Sequence, residues 1–201
     1  MLLLAGCQQD SITDTETKKE MEAVVPPVNS IVIEISNDAM LGVTSYSKKK
    51  LVIDTEYYSK NKIKRGDIVY FSYPDKNINQ YALQEKMQIL RVVGLGEERI
   101  SMKKGQIIIN GKQLDAFYGH DISNNLRELK LKLKEPDLNN YEIENIKNAI
   151  NFVENENMDE LLIPKEMVFL IGDNRAQALD SSIIGPISKN NIIGKVIGEL
   201  K

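Results

Sequence analysis

The sequence predicts a mainly β protein: an antiparallel body, barrel or sandwich, carrying one helical hairpin as an insertion. Three observations predict it. Short runs of β-branched and aromatic residues recur along the chain, separated by Gly, Pro and Asn-Gly turns. The dipeptide Asn110-Gly111 stands between two such runs, where it favours a two-residue hairpin turn. From Ile122 to Met158 glycine disappears, and the apolar spacing changes from strand-like to helical.

The elements follow in order. Ile31-Val32-Ile33-Glu34-Ile35 reads as the first strand and Leu51-Val52-Ile53 as the second. Asp67 to Tyr73 is the third, opened by Gly66 and closed by Pro74. Met87 to Val93 continues the pattern and stops at Gly94 and Gly96. Gln106 to Ile109 runs into the Asn110-Gly111 turn, and Lys112-Gln113-Leu114 returns from it. Met167 to Ile171 and Ile192 to Ile197 complete the set. Within the glycine-free stretch, Leu126, Leu129 and Leu133, then Ile143, Ile146, Ile150 and Val153, keep i, i+3, i+7 spacing. Two short amphipathic helices are expected there, with Glu135-Pro136-Asp137 as the stop between them.

Composition limits the chemistry. A chain of 201 residues is long enough to bury a real core. With 26 Lys+Arg against 29 Asp+Glu, nothing draws the whole molecule to nucleic acid, and none is expected as a partner. One Cys cannot close an internal disulfide, and one His cannot build a His-rich metal site, so neither a metal nor a cofactor is expected. Any Ser-His-Asp triad would depend on His120, which reads as a surface residue beside Asp121. No apolar run approaches the roughly 18 residues that a membrane-crossing helix needs. Hydroxyls, amines and carboxylates remain.

The N-terminus, Met1-Leu2-Leu3-Leu4-Ala5-Gly6-Cys7, resembles the lipobox of bacterial lipoproteins, although it lacks a Lys/Arg segment in front. In that family, small residues let a peptidase cut before a cysteine that is first lipidated. The resemblance implies that residues 1–7 are the remnant of a signal sequence and that Cys7 is lipidated in the full-length gene product. Residues 8–28, polar and ending near Pro26-Pro27, read as a tether. The folded body is then 29–201, with the helical insertion at about 122–158.

The most specific string is Gly172-Asp173-Asn174-Arg175, followed by Leu179-Asp180-Ser181 and Gly185. It gathers carboxylates, an amide and a guanidinium in a turn after an apolar strand, a combination that buttresses a site by bidentate pairing. The string resembles the box near the C-terminus of type I signal peptidases, which are Ser-Lys proteases. Lys64-Arg65-Gly66-Asp67-Ile68-Val69-Tyr70-Phe71 resembles that family's Gly-Asp strand, and Leu90-Arg91-Val92-Val93-Gly94-Leu95 its Lys-Arg-Val strand. Ile109-Asn110-Gly111-Lys112 resembles its hairpin, and Ile163-Pro164-Lys165 leads toward Gly172 as the family does. The likeness runs from about Ile31 to Leu200 and implies a signal-peptidase-like β body without a cofactor. It assigns site-supporting roles to Gly66, Asp67, Arg91, Asp173, Asn174, Arg175, Asp180 and Ser181.

The catalytic positions depart from the pattern. The family places a Ser directly before a Met, in a Ser-Met-x-Pro-Thr context; here Ala39 precedes Met40, with Gly42 and Val43 at the Pro and Thr positions. The general-base Lys before Arg-Val is Leu90, the Ser that bonds that Lys is Ala178, and the Arg after Asp-Ser is Ser182. A Ser-Lys dyad needs an amine desolvated enough to take the hydroxyl proton. Once the serine is lost, an apolar side chain of similar volume in place of the amine is neutral or stabilising. No catalytic residue is therefore intact.

The resemblance implies that an extended peptide adds as a strand between two exposed edges, Ile35 to Met40 and roughly Gln84 to Leu90. Asn37, Asp38, Met40 and Ile89 are the groove candidates, with the Asn37 amide a donor near the oxyanion region. The expected function is a signal peptidase homologue tethered at the outer face of the bacterial cytoplasmic membrane. It would bind an extended peptide, a secretory preprotein or an active signal peptidase paralogue without cutting. Two alternatives stay open. One is an active peptidase with a relocated pair drawn from Ser36, Ser45, Ser47, the Lys48-Lys49-Lys50 run and Lys86; the other is a surface scaffold that presents the helical hairpin.

Overall fold

The computed structural model describes residues 11–42, 46, 48–75, 86–120 and 126–201. Cys7, Val43, Ser45, Ser47, the Gln84 start of the second groove edge and the Ile122 start of the insertion lie outside the described residues.

Thirteen strands are described: β1 (Ser11–Thr13), β2 (Ala23–Val24), β3 (Ser30–Glu34), β4 (Lys50–Asp54), β5 (Ile68–Ser72), β6 (Met87–Gly94), β7 (Arg99–Lys103), β8 (Gln106–Ile109), β9 (Lys112–Asp115), β10 (Met158–Leu162), β11 (Met167–Ile171), β12 (Ile187–Ser188) and β13 (Ile192–Leu200). Four helices accompany them: α1 (Tyr57–Lys60), α2 (Leu126–Lys132), α3 (Asn140–Asn155) and α4 (Ser181–Ile184). The larger sheet runs β12-β11-β6-β5-β13-β4-β3, with β2 also on β13; the smaller runs β1-β9-β8-β7-β10. The protein is mainly β and mostly antiparallel, and each strand expected from the sequence is present.

Burial explains which runs became central strands. Leu51, Val52 and Ile53 of β4 are all fully enclosed, as are Ile89, Leu90, Val92 and Val93 of β6. Strands covered on both faces lose the apolar-polar alternation and read as continuous apolar runs. β3 lies at the sheet edge, and there Ile31 and Val32 stay exposed while Ile33 is half-buried. Two apolar cores result, one under the larger sheet around Leu90 and Phe71, the other around Ile107 and Phe169. β6 serves both, since Val92 packs in the first and Val93 in the second. Asn110 and Gly111 have φ of 50° and 76°, the left-handed pair that the β8–β9 hairpin requires.

The insertion is a helical hairpin, with α2 packed on α3. Asn139 caps α3 through a reciprocal capping box with Glu142. Ile146 and Val153 are its buried residues, on the face that the spacing marks. The insertion ends earlier than expected, because Met158 opens β10, which pairs with β7. That strand reads MDELL, with Asp159 and Glu160 charged, and an edge position needs no apolar alternation.

The expected tether needs a larger correction. β1 pairs in parallel with β9, Ser11 opposite Gln113, and β2 pairs with β13, Ala23 opposite Glu199. Between them the Asp14 carboxylate accepts from the backbone N–H groups of Glu16 and Thr17 at 3.0 and 3.1 Å and from the Thr17 hydroxyl at 2.5 Å. Thr17 sits so close over Gly66 (φ 87°) that a Cβ there would collide with its hydroxyl. Residues 11–24 form a strap laid on the body, held by backbone pairing that polar composition does not reveal. Among the described residues no helix is long and apolar enough to cross a membrane.

Candidate functional site

The three residues that the resemblance sets at catalytic positions lie in one core. Ala39, Leu90 and Ala178 are 3%, 0% and 6% exposed and belong to one apolar core. Gly172 joins two of them: a Cβ there would strike the Cβ of Ala178 and lie 2.7 Å from the carbonyl oxygen of Ala39. That carbonyl accepts from the Asn174 N–H at 3.0 Å. The fold thus brings together the positions where the resemblance puts a hydroxyl, an amine and a second hydroxyl, and the side chains present offer only methyl and isobutyl groups.

Under this patch lies a charged girder. Arg91 donates through Nε and Nη2 to both Asp173 oxygens at 2.8 and 2.7 Å, and through Nη1 to the carbonyl oxygen of Gly66 at 3.0 Å. Its guanidinium also donates to the Tyr46 hydroxyl and stacks 5.1 and 5.2 Å from the Phe117 and Tyr118 ring centres. Burial alone would lower the Arg91 pKa, but Asp173 outweighs it and holds the group firmly charged. Burial pushes the Tyr46 hydroxyl upward, against the pull of Arg91. Asp67 is engaged with Lys195 at 2.5 Å, the Tyr58 hydroxyl at 3.1 Å and the Lys64 N–H at 2.9 Å. Lys195 stands 4.6 Å over the Tyr57 ring; burial lowers its pKa, but the Asp67 bond carries the balance upward.

The second carboxylate of the box is turned inward. Asp180 accepts from Ser182 N–H at 2.9 Å, from Ser182 Oγ at 2.5 Å and from Gly172 N–H at 3.2 Å. Burial raises its pKa, opposed by the Ser182 and Gly172 bonds and by the Arg175 charge. Ser182, where the resemblance puts an Arg, donates to the Asp180 carboxylate that caps α4 and presents no cation. Ser181 Oγ accepts from the Leu170 N–H at 3.0 Å, which locks the box to β11.

The two expected edges border a cavity of about 280 Å³, lined by Ile33, Glu34, Ile35, Tyr70, Lys86 and Met87. The outer side of β3 pairs with no described strand, and β11 covers β6 only from Arg91 onward. Of the four groove candidates, Asn37 is half-buried and Asp38 exposed, but Met40 and Ile89 are 2% and 0% exposed. The expectation for these two needs correcting: Met40, in the turn after β3, and Ile89, in the middle of β6, turn their side chains into the core, and the Ile89 N–H is held by Gln88 Oε1 at 2.9 Å. Asn37 differs too. Its Oδ1 accepts the Ala39 N–H at 3.2 Å, so the backbone donor at the nucleophile's position is occupied from within.

Ser36 is exposed, and the Lys86 ammonium is ion-paired with Asp75 at 2.9 Å in an open setting. Lys49 pairs with Glu199, and His120 is exposed. Among the described residues no cluster of His, Cys, Asp and Glu is placed to hold a metal ion. Three contributors escaped the sequence reading: Tyr46, Lys195 and Glu156, each meeting its partner only through tertiary folding. The Asp14-x-x-Thr17 spacing of the strap was legible as an Asx turn.

Comparison with known proteins agrees with the geometry. The family model described as signal peptidase, peptidase S26, matches residues 28–199. Signal peptidase I of Bacillus caldolyticus is 29% identical over 153 residues, which cover 76% of this chain and 70% of that protein. Signal peptidase I V of Bacillus subtilis strain 168 is 30% identical over 135 residues, 67% of this chain and 64% of the relative. A solved signal peptidase I from Enterococcus faecalis V583 superposes with a TM-score of 0.43 at 21% identity, over 68% of this chain and 97% of that one. The chain spans about two thirds of the length of these curated relatives.

Proposed function

Since the chain belongs to the signal peptidase (peptidase S26) family, we propose that it is an extracytoplasmic member that holds an extended peptide without cleaving it. One observation carries this reading: Ala39, Leu90 and Ala178 belong to one apolar core, while no described strand pairs with the outer side of β3 or covers β6 before Arg91 on the β11 side. Hydrolysis of an amide needs a nucleophile, a base and a donor for the oxyanion. The first two are absent from their positions, and the Ala39 N–H is already bonded to Asn37. Strand addition needs only unpaired backbone and shallow pockets. The outer side of β3, paired with no described strand, offers both beside the 280 Å³ cavity, whereas the Ile89 N–H of β6 is held by Gln88 Oε1 at 2.9 Å.

Secretory preproteins are the proposed ligands, with an active signal peptidase paralogue as the partner whose substrates this protein would hold or withhold. Lipidation at Cys7 is the proposed anchor, setting the body at the outer face of the cytoplasmic membrane. The Arg91–Asp173 girder then has a structural task, keeping β6 and β11 in register beside the groove.

The test is to incubate the purified protein with an Ala-x-Ala-containing signal peptide, measuring binding by fluorescence anisotropy and cleavage by mass spectrometry. Binding without turnover is expected. Turnover abolished by Ser36→Ala or Lys86→Ala would establish a relocated pair, and absence of binding would leave the groove without a ligand. Restoring Ala39→Ser, Leu90→Lys and Ala178→Ser together asks whether the groove still aligns a scissile bond.

A further inference from the structure

A buried ion pair fastens the end of the insertion to the site. Glu156, which ends α3, accepts through Oε1 from Arg175 Nη1 at 3.0 Å. Arg175 is 2% exposed at its side chain and Glu156 13%. The same nitrogen donates to the Gly105 carbonyl at 3.0 Å and lies 3.0 Å from Met102 Sδ. Around the pair, the Gly105 N–H donates to the Glu156 carbonyl at 2.9 Å, the Lys104 N–H donates to Asn157 Oδ1 at 3.0 Å, and Val153 packs on the same turn. One residue before Arg175, the Asn174 N–H donates to the carbonyl of Ala39, on the edge that borders the groove.

We infer that Glu156 is a positioning residue: acting through Arg175, it fixes the Ala39 edge of the groove and makes the helical insertion part of the site. The argument is electrostatic. A buried guanidinium must be paired, and removing its partner leaves a charge that the fold relieves by moving it toward water. Asp180, the other carboxylate that acts on Arg175, is committed to Ser182 and Gly172. Glu156 is therefore the counter-charge that lets Arg175 stay in place. Arg175 opens the short 3-10 turn Arg175–Gln177, so its displacement carries Asn174 with it and frees the Ala39 carbonyl. The peptide consequence rests on the groove reading above; the effect on the Asn174–Ala39 bond does not.

The experiment uses the whole chain and two variants, Glu156→Gln and Asn139→Ala. The second removes the cap at the far end of α3 and leaves the clasp untouched. Amide hydrogen exchange at Asn174, thermal unfolding, and affinity for an Ala-x-Ala-containing peptide are measured. Glu156→Gln is expected to speed exchange at Asn174 and weaken peptide binding on the order of tenfold, the effect of about one lost charge-assisted hydrogen bond. Asn139→Ala is expected to lower the melting temperature and change neither. Unchanged exchange at Asn174 in Glu156→Gln overturns the inference, as does an equal effect in Asn139→Ala, which would mark general destabilisation. If the unaltered protein binds no peptide, the groove reading fails, while exchange at Asn174 still decides the role of Glu156.

Discussion

Arg91 and Asp173 meet side on, Nε and Nη2 each donating to one carboxylate oxygen at 2.8 and 2.7 Å, with the two side chains 2% and 4% exposed. The pair joins β6 to the turn that follows β11. Breaking such a pair strands a charge in the interior. Asp173→Asn is therefore expected to cost about 3–5 kcal/mol. Replacing both members with apolar residues of like volume, as in Arg91→Met with Asp173→Leu, is expected to cost far less. Urea denaturation of the single and double variants checks this, and additive losses would show that the two side chains do not depend on each other.

Leu90 makes a second prediction because it fills, without any exposure, the position of an amine. Leu90→Lys places an ammonium in the Leu51, Phe71 and Ile89 core. At neutral pH the loss is expected to be about 3–5 kcal/mol. Burial depresses the folded pKa of such an amine below its unfolded value near 10.4, so the unfolded chain binds more protons and stability rises with pH up to that value. Denaturation curves between pH 6 and about 10.5 should show the variant recovering relative to the parent. Leu90→Met, nearly volume-conserving, should stay within about 1.5 kcal/mol throughout.

Strand existence was legible from sequence where burial was two-sided: Leu51-Val52-Ile53 and Ile89 to Val93 announce themselves because both faces must be apolar. β10 and the strap were not, because their ladders use backbone groups that any residue supplies. The same division runs through the site. Motif spacing located Arg91 and Asp173, each partnered by a residue of another recognisable box, and Asp180, whose partners Gly172 and Ser182 lie in its own. It missed Glu156 and Lys195, whose partners Arg175 and Asp67 are brought to them only by the docking of an insertion and of the last strand. Met40 and Ile89 were placed at the groove by resemblance, which gives a position along an edge and not the direction in which a side chain turns, and both turn into the core.

Asp14 supplies the third prediction. Burial raises its pKa, but the bonds from Thr17 and Tyr118 prevail and hold it below its ordinary 3.8. A carboxyl depressed in the folded state stabilises above the unfolded pKa, and the effect is lost as pH falls through the folded value. Amide protection over Ile12 to Asp14 and in the facing Gln113 to Asp115 is therefore expected to collapse on acidification below about pH 3.8, before the core opens. Asp14→Ala should show the same loosening already at pH 7. Protection in that variant equal to the parent's would mean that the strap is held by β1 pairing alone.

Asp180 runs in the opposite direction and makes the last prediction. Burial raises its folded pKa above the ordinary 3.8, against the Ser182, Gly172 and Arg175 interactions. Between 3.8 and that raised value the folded protein binds more protons than the unfolded chain. Stability from this group is thus present in acid and declines as pH rises through the window, the reverse of a salt-bridged carboxylate. Asp180→Asn cannot titrate, so subtracting its stability from the parent's isolates the effect, other groups cancelling. The difference, parent minus variant, should fall as pH is raised from about 3.5 and level off once Asp180 is ionised in both states. A flat or rising difference would show that its hydrogen bonds outweigh burial and that the carboxylate is native in its charged form. Ser182 Oγ already reaches this carboxylate at 2.5 Å, so a cation at the same position would pair it. A Ser182→Arg variant is accordingly expected to abolish the decline, by pairing the carboxylate and bringing its pKa back down.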